Sequence, residues 1–245
     1  PFFKSRKIKL SKITKVVLND FKQWLPLNSV SEGKLGTATR RKYEDILGNF
    51  LKYAEKNGWI KELPKFERTK ATNKETPSFT KDDFRKMMRK LKEYIELAPN
   101  KRDANSRQMM YYALSILVKT GLRPHELLSM PQNVNGKTIY SKGLKWKNVE
   151  FYKDDKSGKH SVDLYIEADI DKNRKGRVVP ADKTVYFVLS KLYSMADTTK
   201  KKIGYVFDTD FRSAFPRFLE WADMRTAKNG NNYTFYSLRH TYITW

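Results

Sequence analysis

Ten residues in the middle of the chain, SVDLYIEADI at 161–170, alternate apolar with polar, while the segments on either side repeat their apolar residues at helical spacing. Such a stretch folds as a half-buried strand with Val162, Leu164, Ile166, Ala168 and Ile170 on one face. GLKWKNVEF before it and RVVP after it supply its neighbours in a small antiparallel sheet. Helices frame this sheet. Thr80 and Asp83 stand at capping-box spacing ahead of Phe84, Met87, Met88, Leu91 and Ile95. SRQMMYYALSILVKTG turns Met110, Ala113, Leu114, Leu117 and Val118 inward and stops at Gly121. Asp182 caps a helix that packs Val185, Val188, Leu189 and Leu192, and another helix lies in 211–224, its start blurred by Pro216. Helix, sheet, helix defines an α+β domain.

The first 65 residues read differently. Ile13, Val16, Val17, Phe21, Trp24 and Leu25 share one helical face, and a second helix carries apolar positions 43, 46, 47, 50, 51 and 54 between Thr39, a capping residue, and Asn57-Gly58, a left-handed stop. Its first turn holds Arg40, Arg41 and Lys42. From Pro64 onward apolar residues nearly vanish and Lys, Thr, Glu and Pro dominate. The sequence therefore predicts a mainly α domain over 1–65, a linker over 66–78 and an α+β domain over 79–245.

Fifty Lys+Arg against 27 Asp+Glu give a formal charge of +23. The excess is not a tail: residues 1–75 hold 18 basic and 8 acidic residues, and 76–245 hold 32 and 19. A compact body with this excess calls for a polyanion, and nucleic acid is favoured over a membrane because no run of about 18 consecutive apolar residues exists. Absent cysteine excludes disulfides and thiolate metal sites, and three histidines make a multi-histidine metal cage unexpected. No cofactor or metal is expected, and a cytoplasmic, nucleoid-associated location is.

Three segments carry chemistry. In KTGLRPHELLSM, Gly121 ends one helix, Pro124 opens the next, and Arg123 is held at its mouth, where a guanidinium and backbone N–H groups can grip a phosphate oxygen; Glu126 can brace that arginine. Taken alone, the segment reads better as an ordinary helix start with a surface arginine. DIDKNRKGRVVP crowds Lys172, Arg174, Lys175 and Arg177 at a hairpin tip that can reach into a groove, and a lysine there can protonate a departing alkoxide. A solvated turn is the plainer alternative. In TFYSLRHTYITW, Ser237 can cap a helix with Arg239 in its first turn and Leu238, Tyr242 and Ile243 facing inward. Two such arginines can clamp the two non-bridging oxygens of one phosphodiester.

Together and in this order, TGLRPHELL, KNRKGRVVP and YSLRHTYIT resemble the successive active-site motifs of the tyrosine recombinase (phage-type integrase) family, whose layout of a helical core-binding domain, a linker and a mixed catalytic domain also matches. The resemblance implies a site-specific DNA recombinase that cleaves and rejoins strands through a 3′-phosphotyrosyl intermediate. By it, Arg123 and Arg239 stabilise the transition state, Glu126 supports Arg123, Lys172 protonates the leaving 5′ oxygen, and Arg177 contacts the DNA backbone. Arg40, Arg41, Lys42, Arg174 and Lys175 join the DNA-binding set. The partners it implies are double-stranded DNA, three further copies of the chain in a homotetramer on two DNA sites, and accessory DNA-bending proteins.

Two departures stand out. Tyr236 occupies a position where the family often has histidine; its hydroxyl can donate to phosphate but is a poor base near neutral pH. His240, beside Arg239, is expected in a packing or supporting role. The family's nucleophilic tyrosine lies well downstream of the second arginine, whereas six residues follow Arg239 here, so the expectation is a nucleophile past Trp245 and a chain that does not cleave as given. A DNA-binding regulator on the same fold that no longer cuts is the alternative.

Overall fold

The computed structural model describes residues 2–27, 35–65, 67–70, 75–135, 137–154 and 158–245. They form two compact units, Pro1–Lys74 and Glu75–Trp245.

The first unit is helical: α1 (Phe2–Ser5), α2 (Lys15–Leu27) and α3 (Thr37–Lys56), with a 3-10 turn at Leu10–Lys12. Leu18, Phe21 and Leu25 are the buried residues of α2, and Val16 is exposed, so the inward face is rotated from the expected one. The cause is α1, too short to show an apolar period in the sequence. Phe2 packs edge-on against Phe21 at 5.4 Å and near Trp24 at 5.4 Å, and these aromatics define which side of α2 is covered. On α3, Gly36 rather than Thr39 occupies the N-cap, and Glu44, Gly48, Leu51 and Ala54 are buried while Tyr43, Ile46 and Phe50 are exposed.

What covers that side of α3 is part of the segment expected as linker. Residues 66 and 71–74 lie outside the described residues, but 67–70 run along α3. Thr69 donates its backbone N–H and its hydroxyl to the two Glu44 carboxylate oxygens, each at 2.6 Å. Arg68 pairs with Asp45 at 2.9 Å and lies over Gly48, where an added Cβ would come within 2.7 Å of the guanidinium. On the other side, Pro77 is buried in the second unit and the Glu75 carbonyl accepts from Asn231.

The second unit is built around α5 (Lys101–Thr120), which starts at the Asn100 cap, earlier than its periodicity suggests. It buries Met110, Tyr112, Ala113, Leu114, Ile116, Leu117 and Val118, so it is covered nearly all round rather than on one stripe. α4 (Lys81–Glu96), capped by Thr80, packs beside it with Met87 and Leu91 inward. After the short α6 (Pro124–Leu127) comes an antiparallel hairpin, β1 (Met130–Val134) and β2 (Lys137–Ser141), whose cue in the sequence is the Asn135-Gly136 dipeptide.

The expected sheet is present: β3 (Val149–Asp154), β4 (Lys159–Ile166) and β5 (Arg177–Ala181) are antiparallel in the order β3-β4-β5, with Leu164 opposite both Val149 and Val179. Val162, Leu164 and Ile166 face the core. The strand ends at Ile166; Ala168 is exposed, and Ile170 re-enters the core from a loop. α7 (Lys183–Met195) starts at Asp182, packs on β4 and α5, and buries Val185, Leu189 and Leu192. The helices α8 (Thr198–Ile203), α9 (Ala214–Trp221, beginning just before Pro216) and α10 (Phe235–Thr244) complete the unit. α10 lies along α5, and this pairing places the site.

Candidate active site

The site begins where α5 stops. Gly121 takes the left-handed conformation, φ 61°, that ends a helix at little cost to glycine, and its N–H bonds the Leu117 carbonyl. A Cβ at this position would lie 2.3 Å from Cδ1 of Tyr242, so the Tyr242 ring of α10 rests on the bare Cα. The Gly121 carbonyl accepts a hydrogen bond from Nη1 of Arg239. Two residues on, Arg123 is the N-cap of α6 with Pro124 at the first helical position, as the sequence suggests.

Glu126, fully buried, accepts four hydrogen bonds. Its Oε2 accepts from the Arg123 backbone N–H at 2.8 Å and from Arg177 Nη2 at 2.7 Å, and its Oε1 accepts from Arg123 Nη1 at 2.7 Å and Arg177 Nη1 at 3.1 Å. Burial pushes this carboxyl up, but the bonds from Arg177 and then Arg123 outweigh it, and Glu126 titrates below its ordinary value. Asp171, also buried, reaches Arg123 Nη1 at 3.3 Å and Arg177 Nη1 at 3.2 Å. The Asn173 backbone N–H, then the two arginines, hold Asp171 below the usual carboxylate range against desolvation.

Arg177 therefore sits inside this network, on β5, rather than at a free hairpin tip. The connection between β4 and β5 is also no tight turn but a loop over 167–176, pinned by Ile170 in the core and by Asp171 on the arginines. Lys172, Arg174 and Lys175 stand exposed on that loop, and none makes an ion pair among the described residues.

Arg239 differs from Arg123. Among the described residues it has no carboxylate partner; burial and then the like charge of Arg123 lower its pKa, yet a guanidinium stays charged in protein. Three guanidinium groups, Arg123, Arg177 and Arg239, face two carboxylates, Glu126 and Asp171, which leaves one positive charge unmatched at the α5–α10 junction. That arrangement suits an oxyanion.

α10 itself corrects the expected phasing. Thr234 is the N-cap and Ser237 lies inside the first turn, returning its hydroxyl to the Thr234 N–H at 3.0 Å. Phe235, Ser237, Leu238 and Thr241 face inward, whereas Tyr242 and Ile243 are exposed. The buried Thr241 hydroxyl accepts from the Phe79 N–H, a demand for a small polar residue that apolar periodicity does not register. His240 is exposed and its side chain makes no hydrogen bond among the described residues. Tyr236, on the exposed face, directs its hydroxyl to His125 Nδ1 at 3.5 Å.

Asp171 and His125 are the site residues that motif reading passed over. Asp171 is hidden in a run of charges, and His125 is an unremarked neighbour of Pro124. In the first unit, Arg41 bonds Asp45 at 3.1 Å and the Thr69 carbonyl, Arg40 bonds the Leu35 carbonyl, and Lys42 is exposed. No three of the described His, Cys, Asp or Glu side chains are placed to hold a metal ion, and no helix among the described residues is long and apolar enough to cross a membrane.

Comparison with known proteins agrees with this architecture. Residues 1–70 match the phage integrase SAM-like domain family. Over 95% of its length the chain superposes on the XerH site-specific recombinase bound to its difH substrate, with a TM-score of 0.57 and 18% identity. Over 97% and 96% it superposes on the Tn1549 transposon integrase in complex with a circular intermediate DNA and on a lambda integrase tetramer bound to a Holliday junction, each with a TM-score of 0.55, at 17% and 15% identity. The chain has the fold of the tyrosine recombinases. It spans 59%, 72% and 60% of those three chains. No curated protein matches it by sequence.

Proposed function

We propose that this tyrosine-recombinase fold binds double-stranded DNA and cleaves and rejoins it site-specifically through a 3′-phosphotyrosyl intermediate. The observation that carries the reading is the convergence of Arg123 and Arg239 on one carbonyl-linked junction, with Arg123 braced by Glu126 and Asp171 and Arg239 without a carboxylate partner among the described residues. In this reading Arg239 and Arg123 hold the non-bridging oxygens as charge develops on phosphorus. Lys172, exposed on the loop that Asp171 pins, protonates the leaving 5′ oxygen. The phosphodiester energy is kept in the tyrosyl ester, so rejoining draws on no external energy source.

The nucleophile lies outside residues 1–245. Tyr242 rests on Gly121 and Tyr236 is engaged with His125, so each is committed to another part of the site. Arg40, Arg41, Lys42, Arg174, Lys175 and Arg177 supply or position charge for the DNA backbone. The working assembly is a homotetramer on two DNA sites, assisted by DNA-bending proteins.

Trapping on a nicked suicide duplex tests this. The present chain should bind duplex without forming an adduct, and the longest product of its gene should form one on a tyrosine past residue 245. There, Arg239→Ala should slow cleavage on the order of a hundredfold, roughly 3 kcal/mol, with little loss of binding. Lys172→Ala should be restored by a substrate whose leaving oxygen is replaced by sulfur. Binding without any adduct from the longer protein would favour a regulator that no longer cuts.

A further inference from the structure

His125 is the titratable group of the Arg123 turn for which the proposed roles have no use. It is half-buried, its backbone carbonyl accepts from the Gly143 N–H at 3.1 Å, and its Nδ1 lies 3.5 Å from the Tyr236 hydroxyl. A separation at the outer edge of hydrogen-bond reach is common in a site without substrate and closes when the site fills. The Ile170 carbonyl, from the same loop that carries Lys172, favours a hydrogen on the imidazole.

An imidazole with one nitrogen on a carbonyl has its tautomer fixed, because a carbonyl only accepts. With Nδ1 turned to Tyr236, the tautomer that suits both neighbours keeps its hydrogen on Nε2. Neutral Nδ1 then holds a lone pair, and the Tyr236 O–H donates to it. We propose that His125 and Tyr236 work as one unit in which Tyr236, its own proton given to Nδ1, offers an oxygen lone pair to the hydroxyl that attacks phosphorus. This rests on the reading of the site as a phosphodiester-cleaving one. The attacking phenol forms its bond to phosphorus as its proton passes to Tyr236 Oη and the Tyr236 proton passes to His125 Nδ1. The bond from phosphorus to the 5′ oxygen breaks, and that oxygen takes a proton from Lys172. His125 ends as imidazolium, Tyr236 is unchanged, and Lys172 is a neutral amine. His125 is thus a positioning and proton-holding residue that acts through Tyr236, and it removes the objection that a tyrosine alone is a poor base.

The electrostatics keep His125 ready for this role. Burial lowers its pKa most; Glu126 opposes, Lys142 and Arg123 lower it further, and the Ile170 carbonyl opposes. The net direction is downward, so the ring is neutral at neutral pH. From the elements packed against the pair, Arg239 and Arg212 face Tyr236. When His125 does take a proton, the bond reverses: Nδ1–H donates to Tyr236 and the acceptor is lost.

Nitrogen-15 NMR of the present chain at pH 8 should show His125 with its hydrogen on Nε2, and the opposite tautomer would overturn the proposal without any substitution. In a form of the protein that makes the covalent adduct, cleavage should fall as pH drops through the His125 titration. H125Q and Y236F should each be slower by about a hundredfold and lack that acid limb, with the double variant within about twofold of the slower single one. An unchanged acid limb in H125Q, or independent effects of the two substitutions, would refute the unit. R239A separates the two readings: if it is slow while H125Q is normal, only the unit fails, and if R239A cleaves normally, the reading of the arginine junction as the phosphodiester site fails as well.

Discussion

Two buried glutamates, one in each unit, do different work with the same number of oxygens. Glu44 on α3 is closed by the Thr69 N–H and hydroxyl, both neutral donors from a segment 25 residues away. Glu126 is closed by the Arg123 N–H and two guanidinium groups, one of them 51 residues away. The first is a latch: it fastens a strand of chain to a helix and presents nothing to solvent beyond it. The second aligns two cations whose remaining N–H groups are still donors, so satisfying the carboxylate also orders a surface for an anion. Burial alone does not distinguish them; the charge of the donors does.

The largest effect expected from this contrast is on Glu126. Glu126→Ala leaves Arg123 and Arg177 crowded near Arg239 with only Asp171 between them, and breaking a buried pair in this way costs about 4 kcal/mol. Denaturant unfolding should show that loss in the second unit. Glu44→Ala leaves one part-buried N–H and one hydroxyl unmatched, which costs about 1 kcal/mol, and protease should then cut within 67–70 first. DNA cleavage by an adduct-forming protein should survive Glu44→Ala and not Glu126→Ala. Equal losses of stability and activity in the two variants would erase the distinction.

The smallest effect is on acid stability. Glu126 and Asp171 both titrate below their ordinary values, 4.5 and 3.8. The unfolded chain therefore binds protons first as pH falls, so their contribution is complete above the unfolded values and is lost as pH drops through the lower folded ones. Thermal melts of the second unit should fall slightly below about pH 6.5, where the unfolded chain protonates His125 first, and more steeply below about 4, where Glu126 and Asp171 are lost. Glu126→Gln should flatten part of that fall. A decline between pH 7 and 5 that persists in His125→Gln would place that part of the loss on another group.

What the sequence exposes and what it hides follow from the range of the interactions. The helices around Met87, Leu91 and Leu117 and the three-stranded sheet are set by apolar spacing within a dozen residues, and the Gly121-Leu122-Arg123-Pro124 turn by local backbone chemistry, so both are readable. The Asp171 contact spans 48 residues and sits in a run whose other charges are exposed, so no local pattern marks it. Phe2 belongs to the core because α2 offers it Phe21, a tertiary fact. Tyr242 looked like core because it is large and apolar at the right spacing; Thr241 took the inward place because the Phe79 N–H needed an acceptor. His125 becomes visible only when α10 is brought beside the end of α5.

The Gly121 carbonyl, which receives Arg239 two residues before Arg123 leaves the same backbone, works as a caliper. Two arginines 116 positions apart along the chain have their spacing set across a stretch of three consecutive residues, where bond lengths and angles scarcely vary, instead of across the width of a packed domain. Repacking of α4, α7 or α9 can then accumulate without altering the gauge. Drift at residue 121 cannot: a side chain there would strain the left-handed backbone and push Tyr242, and with it the whole of α10, off its setting.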